Sequence, residues 1–101
     1  MDVERTNKTS RGKHRWILVK FQGTYTRNSL NQLISSYTNN KSCKLYDFHQ
    51  LNKHSFGIIK VQLNQYKDII NEINSYENAS TLSSSGKIRL IRQRLEKITT
   101  R

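Results

Sequence analysis

The sequence of 101 residues has no proline, a single cysteine and no long hydrophobic run. One cysteine excludes an internal disulfide framework and is typical of a protein in a reducing compartment. No apolar stretch approaches the roughly 18 residues that a membrane-spanning helix needs. The start of the chain is polar and lacks the apolar segment of a signal peptide. We therefore expect a cytoplasmic protein with no membrane partner.

Acidic residues are also scarce. The chain has 7 Asp and Glu against 18 Lys and Arg, which gives a formal net charge of +11 and a pI near 10.2. Hydrophobic residues make up 34% of a chain long enough for one domain, so the core must be small. Such an excess of positive charge repels itself unless a polyanion neutralises it, and it predicts a nucleic-acid partner. The alternative is a basic surface that serves only solubility.

The positive charge is concentrated in three regions. Segments 1–20, 21–60 and 87–101 are net basic, whereas segment 61–86 has one lysine against three acids. This division suggests one surface for a polyanion and another for a protein. Residues 1–13 are polar and aperiodic, and we predict a flexible basic arm followed by a single domain over 14–101.

Hydrophobic periodicity predicts the elements of that domain. A β-branched and aromatic run over 15–21 indicates a strand, and Thr26 can cap a following short helix whose apolar positions recur at helical spacing. Segments 43–49 and 56–63 indicate a strand hairpin. Asn64 can cap a second helix, 81–84 is a weak edge strand, and 87–99 is a third helix.

This order is strand, helix, strand, strand, helix, strand, helix. It predicts an α/β ferredoxin-like two-layer sandwich, in which two helices cover one face of a four-stranded antiparallel sheet. The basic C-terminal helix is an addition to that motif. The other face of the sheet is expected to be open.

The chain offers little for catalysis. Asp47 is the only acid within a predicted strand and has no acidic neighbour in the sequence, so no carboxylate pair is visible. Cys43, His49 and His54 match no zinc spacing and are too few for a closed structural site. We expect no catalytic residue and no metal or cofactor bound by this chain.

Basic residues are the stronger candidates. In the last helix, Lys87 and Arg94 fall on one stripe with Lys97 beside it, and an apolar stripe occupies another arc. Arginine suits phosphate because its planar fork donates two parallel hydrogen bonds. The Ser85–Gly86 turn places backbone N–H groups at the start of this helix, where anions bind readily. The residues that we predict to contact RNA are Lys13, Arg15, Lys20, Lys60, Lys87, Arg89, Arg92, Arg94 and Lys97.

Aromatic residues could line the open face of the sheet. They are Trp16, Tyr46, Phe48 and Phe56, and bases stack on such residues in RNA-recognition sheets. The aromatic-glycine-aromatic signature of those sheets is missing. We therefore favour packing of this face against another protein or against the last helix. The predicted protein interface consists of Trp16, Leu18, Phe56 and Ile58.

Three short motifs carry a family resemblance. Residues 13–17, Lys-His-Arg-Trp-Ile, resemble the opening of archaeal ribonuclease P protein component 2, a member of the Pop-five family. Residues 57–61, Gly-Ile-Ile-Lys-Val, resemble that family's Gly-Ile-Ile-Arg-Cys strand, and residues 85–89, Ser-Gly-Lys-Ile-Arg, resemble its Ser-Gly-Thr-Ile-Lys element. Lys60, Val61 and Lys87 depart from the family residues, and the first helix with its following loop is shorter.

The resemblance implies an RRM-like sandwich and a role as a protein subunit of ribonuclease P. In that ribonucleoprotein the RNA removes the 5′ leader of precursor tRNA, with magnesium serving the RNA catalyst. The implied partners are the ribonuclease P RNA, precursor tRNA through the holoenzyme, and ribonuclease P protein component 3. A homodimer within a heterotetramer is also implied.

Two other functions compete with this one. The first is a general RNA-binding or ribosome-associated RRM-like module, in which Trp16, Tyr46 or Phe56 would stack on bases. The second is a small nuclease working alone, which would depend on Asp47 or His49.

Overall fold

The computed structural model describes residues 14–39 and 43–99. The predicted basic arm over 1–13, including Lys13, lies outside the described residues. The elements in chain order are β1 (His14–Gln22), α1 (Arg27–Tyr37), β2 (Cys43–Leu51), β3 (His54–Gln62), a 3₁₀ turn (Leu63–Gln65), α2 (Tyr66–Asn74), β4 (Ala79–Ser85) and α3 (Ile88–Thr99). Among the described residues, no helix is long and apolar enough to cross a membrane.

The four strands form one antiparallel sheet in the order β2-β3-β1-β4. The two central strands, β1 and β3, are the most apolar, because both of their faces are covered. This order and the alternation of strands with helices confirm the predicted ferredoxin-like architecture.

The main core lies between the sheet and the pair of helices α1 and α2. Ile17, Val19 and Phe21 alternate along β1 and point to this side, where α1 and α2 bury their apolar stripes. The helix residues that complete this core are Leu30, Ile34, Ile69 and Ile73. All of these side chains are at most 1% exposed, so this layer contains most of the buried apolar surface.

The opposite face of the sheet is only partly open, because α3 covers its middle. Helix α3 packs Ile91 and Leu95 against Leu18, Phe56 and Ile58, which alternate with the main-core residues on the central strands. Burial is nearly complete on the strand side of this smaller cluster. The chain therefore covers the middle of its second face with its own C-terminal helix.

A bulge in β2 changes which side chains share a face. Simple alternation places Cys43, Leu45 and Asp47 together, with Phe48 on the other side. In the structure the register shifts between Leu45 and Asp47, so Asp47 pairs with Ile58 and Phe48 pairs with Gly57. The expected alternation holds for Tyr46, which lies beside Trp16, and is wrong from Asp47 onward, because one extra residue in a strand reverses the faces of all that follow. Phe48 packs against the main core.

The two predicted helix caps have different outcomes. Thr26 caps α1 as expected: its hydroxyl accepts a hydrogen bond from the Ser29 backbone N–H at 3.1 Å, and the Ser29 hydroxyl accepts one from the Thr26 N–H at 3.0 Å. The predicted cap at Asn64 is wrong. Asn64 lies within the 3₁₀ turn, and α2 begins at Tyr66 without a side-chain cap.

Candidate nucleic-acid interface

Helix α3 presents an apolar side to the sheet and a basic side to solvent. Ile88, Ile91, Leu95 and Ile98 face the smaller core. The cations of the helix and of the residue before it are all exposed, and they are Lys87, Arg89, Arg92, Arg94 and Lys97. Docking of the apolar stripe thus fixes the direction in which these charges point. An exposed row of guanidinium and ammonium groups on a rigid helix is suited to a phosphate backbone.

One of these cations is already paired within the chain. The Arg92 guanidinium donates two hydrogen bonds to Asp47, from Nε to Oδ2 at 2.7 Å and from Nη2 to Oδ1 at 3.2 Å. The hydrogen bonds to the Asp47 carboxylate raise the pKa of Arg92 above its usual value. The pair ties α3 to the bulge in β2 and offsets the charge that Arg92 could offer to RNA.

One of the backbone N–H groups at the turn before α3 is already hydrogen-bonded to a side chain of the turn. Ser85 Oγ accepts a hydrogen bond from the Lys87 N–H at 3.1 Å, so the hydroxyl occupies one of the donors that we expected to meet an anion. A Cβ on Gly86 would lie 3.6 Å from Nη1 of Arg15, which places that guanidinium beside the turn.

The Arg15 side chain lies on the side of the sheet that α2 covers, opposite to α3. Its guanidinium lies 4.9 Å from the centroid of the Tyr66 ring on α2, and its Nε is buried without a hydrogen-bond partner among the described residues. Tyr66 Oη lies 3.2 Å from Ser84 Oγ. Hydrogen bonds from Ser84 and then Arg15 lower the pKa of Tyr66 from its usual value. Arg15 therefore lies against Tyr66 of α2, with its guanidinium close to the turn that precedes α3.

Two further lysines predicted to bind RNA lie at opposite ends of the sheet. Lys60 on β3 lies opposite Trp16 on β1. Lys20 lies four residues beyond Trp16 on β1, opposite Phe56. Four residues of strand span about 13 Å. Lys20 lines a polar groove of about 240 Å³ together with His54 and Glu77. The predicted RNA-binding residues therefore form one compact group on α3 and separate positions on the sheet.

Three residues of the predicted protein interface are covered by α3. Leu18 and Ile58 are 0% exposed and Phe56 is 4% exposed, whereas Trp16 remains half-buried. This arrangement corresponds to the second alternative for this face, in which the last helix packs on it. Leu18, Phe56 and Ile58 are therefore unavailable to another protein while α3 is docked.

An aromatic and basic cluster lies on the part of this face that α3 leaves accessible. The Trp16 and Tyr46 rings are perpendicular, with centroids 4.8 Å apart. Nζ of Lys60 lies 5.5 Å from the Trp16 centroid and 6.0 Å from that of Tyr46, and Nζ of Lys44 lies 5.5 Å from that of Tyr46. Sequence reasoning did not select Lys44 as a candidate. The available signal was the position of Lys44 two residues before Tyr46 in the predicted strand, because residues two apart lie on the same face.

The candidates for catalysis or metal binding do not come together. Among residues 14–39 and 43–99, no group of three or more His, Cys, Asp or Glu side chains could hold a metal ion. Asp47 is paired with Arg92, His49 is exposed on β2, and the Cys43 thiol lies 3.9 Å from the Thr38 hydroxyl.

Comparison of the chain with protein-family models, with curated proteins and with solved structures finds no match. Function is therefore inferred from the geometry and charge described above and from the motif resemblance.

Proposed function

We propose that this protein binds RNA as a non-catalytic subunit of a ribonucleoprotein, with the outward side of α3 as its principal phosphate-contacting surface. The observation that carries the proposal is the docking of α3 by its apolar stripe, which leaves Lys87, Arg89, Arg94 and Lys97 exposed on a rigid element. Such a surface neutralises phosphates and releases counterions, and this supplies affinity without sequence readout.

The motif resemblance makes the proposal more specific. In this proposal the ribonucleoprotein is ribonuclease P, the catalytic RNA binds the magnesium that its chemistry needs, and the protein stabilises the folded RNA. A cytoplasmic location suits a particle that acts on precursor tRNA. It also suits a chain with a single cysteine.

The layer opposite α3 is suited to a protein partner. Helix α2 carries Asp68 and Glu72, and Glu77 follows the helix, whereas α3 carries a single acidic residue, Glu96, among its exposed cations. Charge of opposite sign on opposite layers would direct RNA to one side and protein component 3 to the other. This assignment replaces Leu18, Phe56 and Ile58 as the protein-binding surface.

The test is reconstitution of precursor-tRNA cleavage at limiting magnesium with the double variant Arg94→Ala/Lys97→Ala. The matched control is Lys53→Ala, which removes an exposed lysine from the β2–β3 turn. The α3 variant should lose RNA affinity and cleavage, and the control should retain both. Equal activity of the two variants would refute the α3 surface.

A general RNA-binding module would share the same basic side of α3. A pull-down of the tagged chain from native extract distinguishes the two functions. A ribonuclease P subunit co-purifies with a catalytic RNA and a larger protein. A general module co-purifies with mixed RNA that lacks precursor-tRNA cleavage activity.

A further inference from the structure

We infer that Trp16, Tyr46, Lys44 and Lys60 form a binding site for one unpaired nucleotide of an RNA strand. This inference rests on the proposed RNA-binding function and adds a second, distinct contact to it. The site lies on the sheet, whereas the phosphate surface proposed above lies on α3. Its four side chains come from β1, β2 and β3, which are adjacent strands of the sheet.

The cluster lies beside the part of the sheet that α3 covers. The helix buries Leu18, Phe56 and Ile58, and these side chains are at most 4% exposed. Trp16 and Tyr46 are half-buried on the same side of the sheet, and Lys44 is exposed. Trp16 also packs against the smaller core, so each ring is partly rather than fully exposed on this three-stranded platform. Exposed aromatic rings on a sheet can stack on bases.

The platform carries two lysines that face each other across neighbouring strands. Lys44 and Lys60 are direct cross-strand partners, and like charges in that position are destabilising. Asp47 is the only acidic residue within the four strands, and its carboxylate is already bound by Arg92. A phosphate placed between the two ammonium groups would relieve this repulsion.

Space for a ligand lies beside Tyr46 and the two lysines, whereas Trp16 does not line it. A groove of about 280 Å³ is lined by His14, Lys44, Tyr46 and Lys60 among others. That volume is near the lower end of the range for small-molecule sites. It suits a ligand of one nucleotide rather than a helix or a folded domain. A nucleotide combines a flat aromatic ring with a negative charge, and the cluster offers a partner for each. An acidic peptide would satisfy the lysines but leave the rings without a stacking partner.

The only tryptophan of the chain is Trp16, so its fluorescence reports directly on this site. The full chain is titrated with a short oligouridylate and with an abasic ribose-phosphate oligomer of the same length and charge. We expect the oligouridylate to quench the fluorescence and to bind about 5- to 140-fold more tightly than the abasic oligomer, which is the contribution of one stacked base. Equal binding with unchanged fluorescence would refute the nucleotide site and leave the α3 surface intact. Failure of both oligomers to bind at low salt would refute the RNA-binding function as well.

Two variants test whether the preference for the base-containing oligomer depends on this cluster. Tyr46→Leu should lose most of the preference for the base-containing oligomer while binding the abasic one normally. The matched control is Tyr76→Leu, which removes a tyrosine that is 39% exposed and stacked on Tyr37, with ring centroids 3.6 Å apart. The control should keep the full preference. If poly-glutamate quenches Trp16 as strongly as the oligouridylate, the site recognises charge alone and the inference is wrong.

Discussion

Asp47 and Arg92 form a two-pronged ion pair between the bulge of β2 and the middle of α3, with its shorter bond at 2.7 Å. The bulge makes this contact possible, because it turns Asp47 toward the side of the sheet that α3 covers. Half of the Arg92 side chain is exposed, so solvent weakens the pair, and we regard it as an orienting contact more than a source of stability. The contact also separates Arg92 from the other cations of α3, since its charge is offset within the chain.

The first prediction compares Arg92, which is paired with Asp47, with Arg94 on the same helix. Arg94→Ala should weaken RNA binding and reduce the salt dependence by roughly one phosphate contact, whereas Arg92→Ala should have a smaller effect on both. Fluorescence anisotropy of a labelled RNA, measured over a range of salt concentrations, checks this. Asp47→Asn should tighten binding because it releases the Arg92 guanidinium. Equal losses for Arg92→Ala and Arg94→Ala would show that the internal pair is irrelevant to RNA binding.

The second prediction compares two positions that each suggest a helix cap. Thr26→Ala should lower the free energy of unfolding by about 1 kcal/mol, because the Thr26 hydroxyl satisfies the Ser29 N–H. Asn64→Ala should change it by less than about 0.5 kcal/mol, because Asn64 is exposed and caps no helix. Urea denaturation of both variants provides the measurement. A large effect at Asn64 would contradict the position of the 3₁₀ turn.

The third prediction concerns the close approach at Gly57. A Cβ at this position would lie 2.9 Å from Cδ1 of Leu45, inside the main core. We expect Gly57→Ala to destabilise the fold by about 1–3 kcal/mol through overpacking. Gly86→Ala is the control, because the nearest atom to its added Cβ is the Arg15 guanidinium at 3.6 Å. Thermal unfolding should separate the two variants clearly, and a parent-like Gly57→Ala would mean that Leu45 can move aside.

The fourth prediction is a pH effect at Tyr66. Hydrogen bonds from Ser84 and Arg15 favour the phenolate, so the pKa of Tyr66 is lower in the folded than in the unfolded chain. The resulting stabilisation is present above the unfolded pKa, near 10. It is lost as the pH falls through the folded value, and it contributes nothing at neutral pH.

Near-ultraviolet absorbance of the phenolate measures this titration. In the parent chain the tyrosine absorbance should begin to change at a lower pH than in Tyr66→Phe. Ser84→Ala should raise the pKa of Tyr66, whereas Ser83→Ala, at the neighbouring position of the strand, should leave it unchanged. A Tyr66 pKa that is the same in Ser84→Ala and in the parent would contradict the role of this hydrogen bond.

Periodicity in the sequence was sufficient for the order and type of the elements. The alternation of Ile17, Val19 and Phe21 and the helical spacing of Ile88, Ile91, Leu95 and Ile98 depend on local geometry, which a sequence records directly. The Thr26 cap was predictable for the same reason, since its partner is three residues away. The bulge in β2 was not predictable, because it depends on how the strand pairs with β3.

The sequence alone determined the fold class of this protein, its excess of positive charge and the two-sided character of its last helix. Tertiary structure decided which of these charges act together. Docking of α3 on Leu18 and Ile58 converted an expected open face into a second core and directed the helix cations outward. The β2 bulge paired Asp47 with Arg92, and strand register brought Lys44 and Lys60 beside Trp16 and Tyr46. These contacts join residues that are far apart in the chain, and their geometry depends on packing that no local pattern encodes.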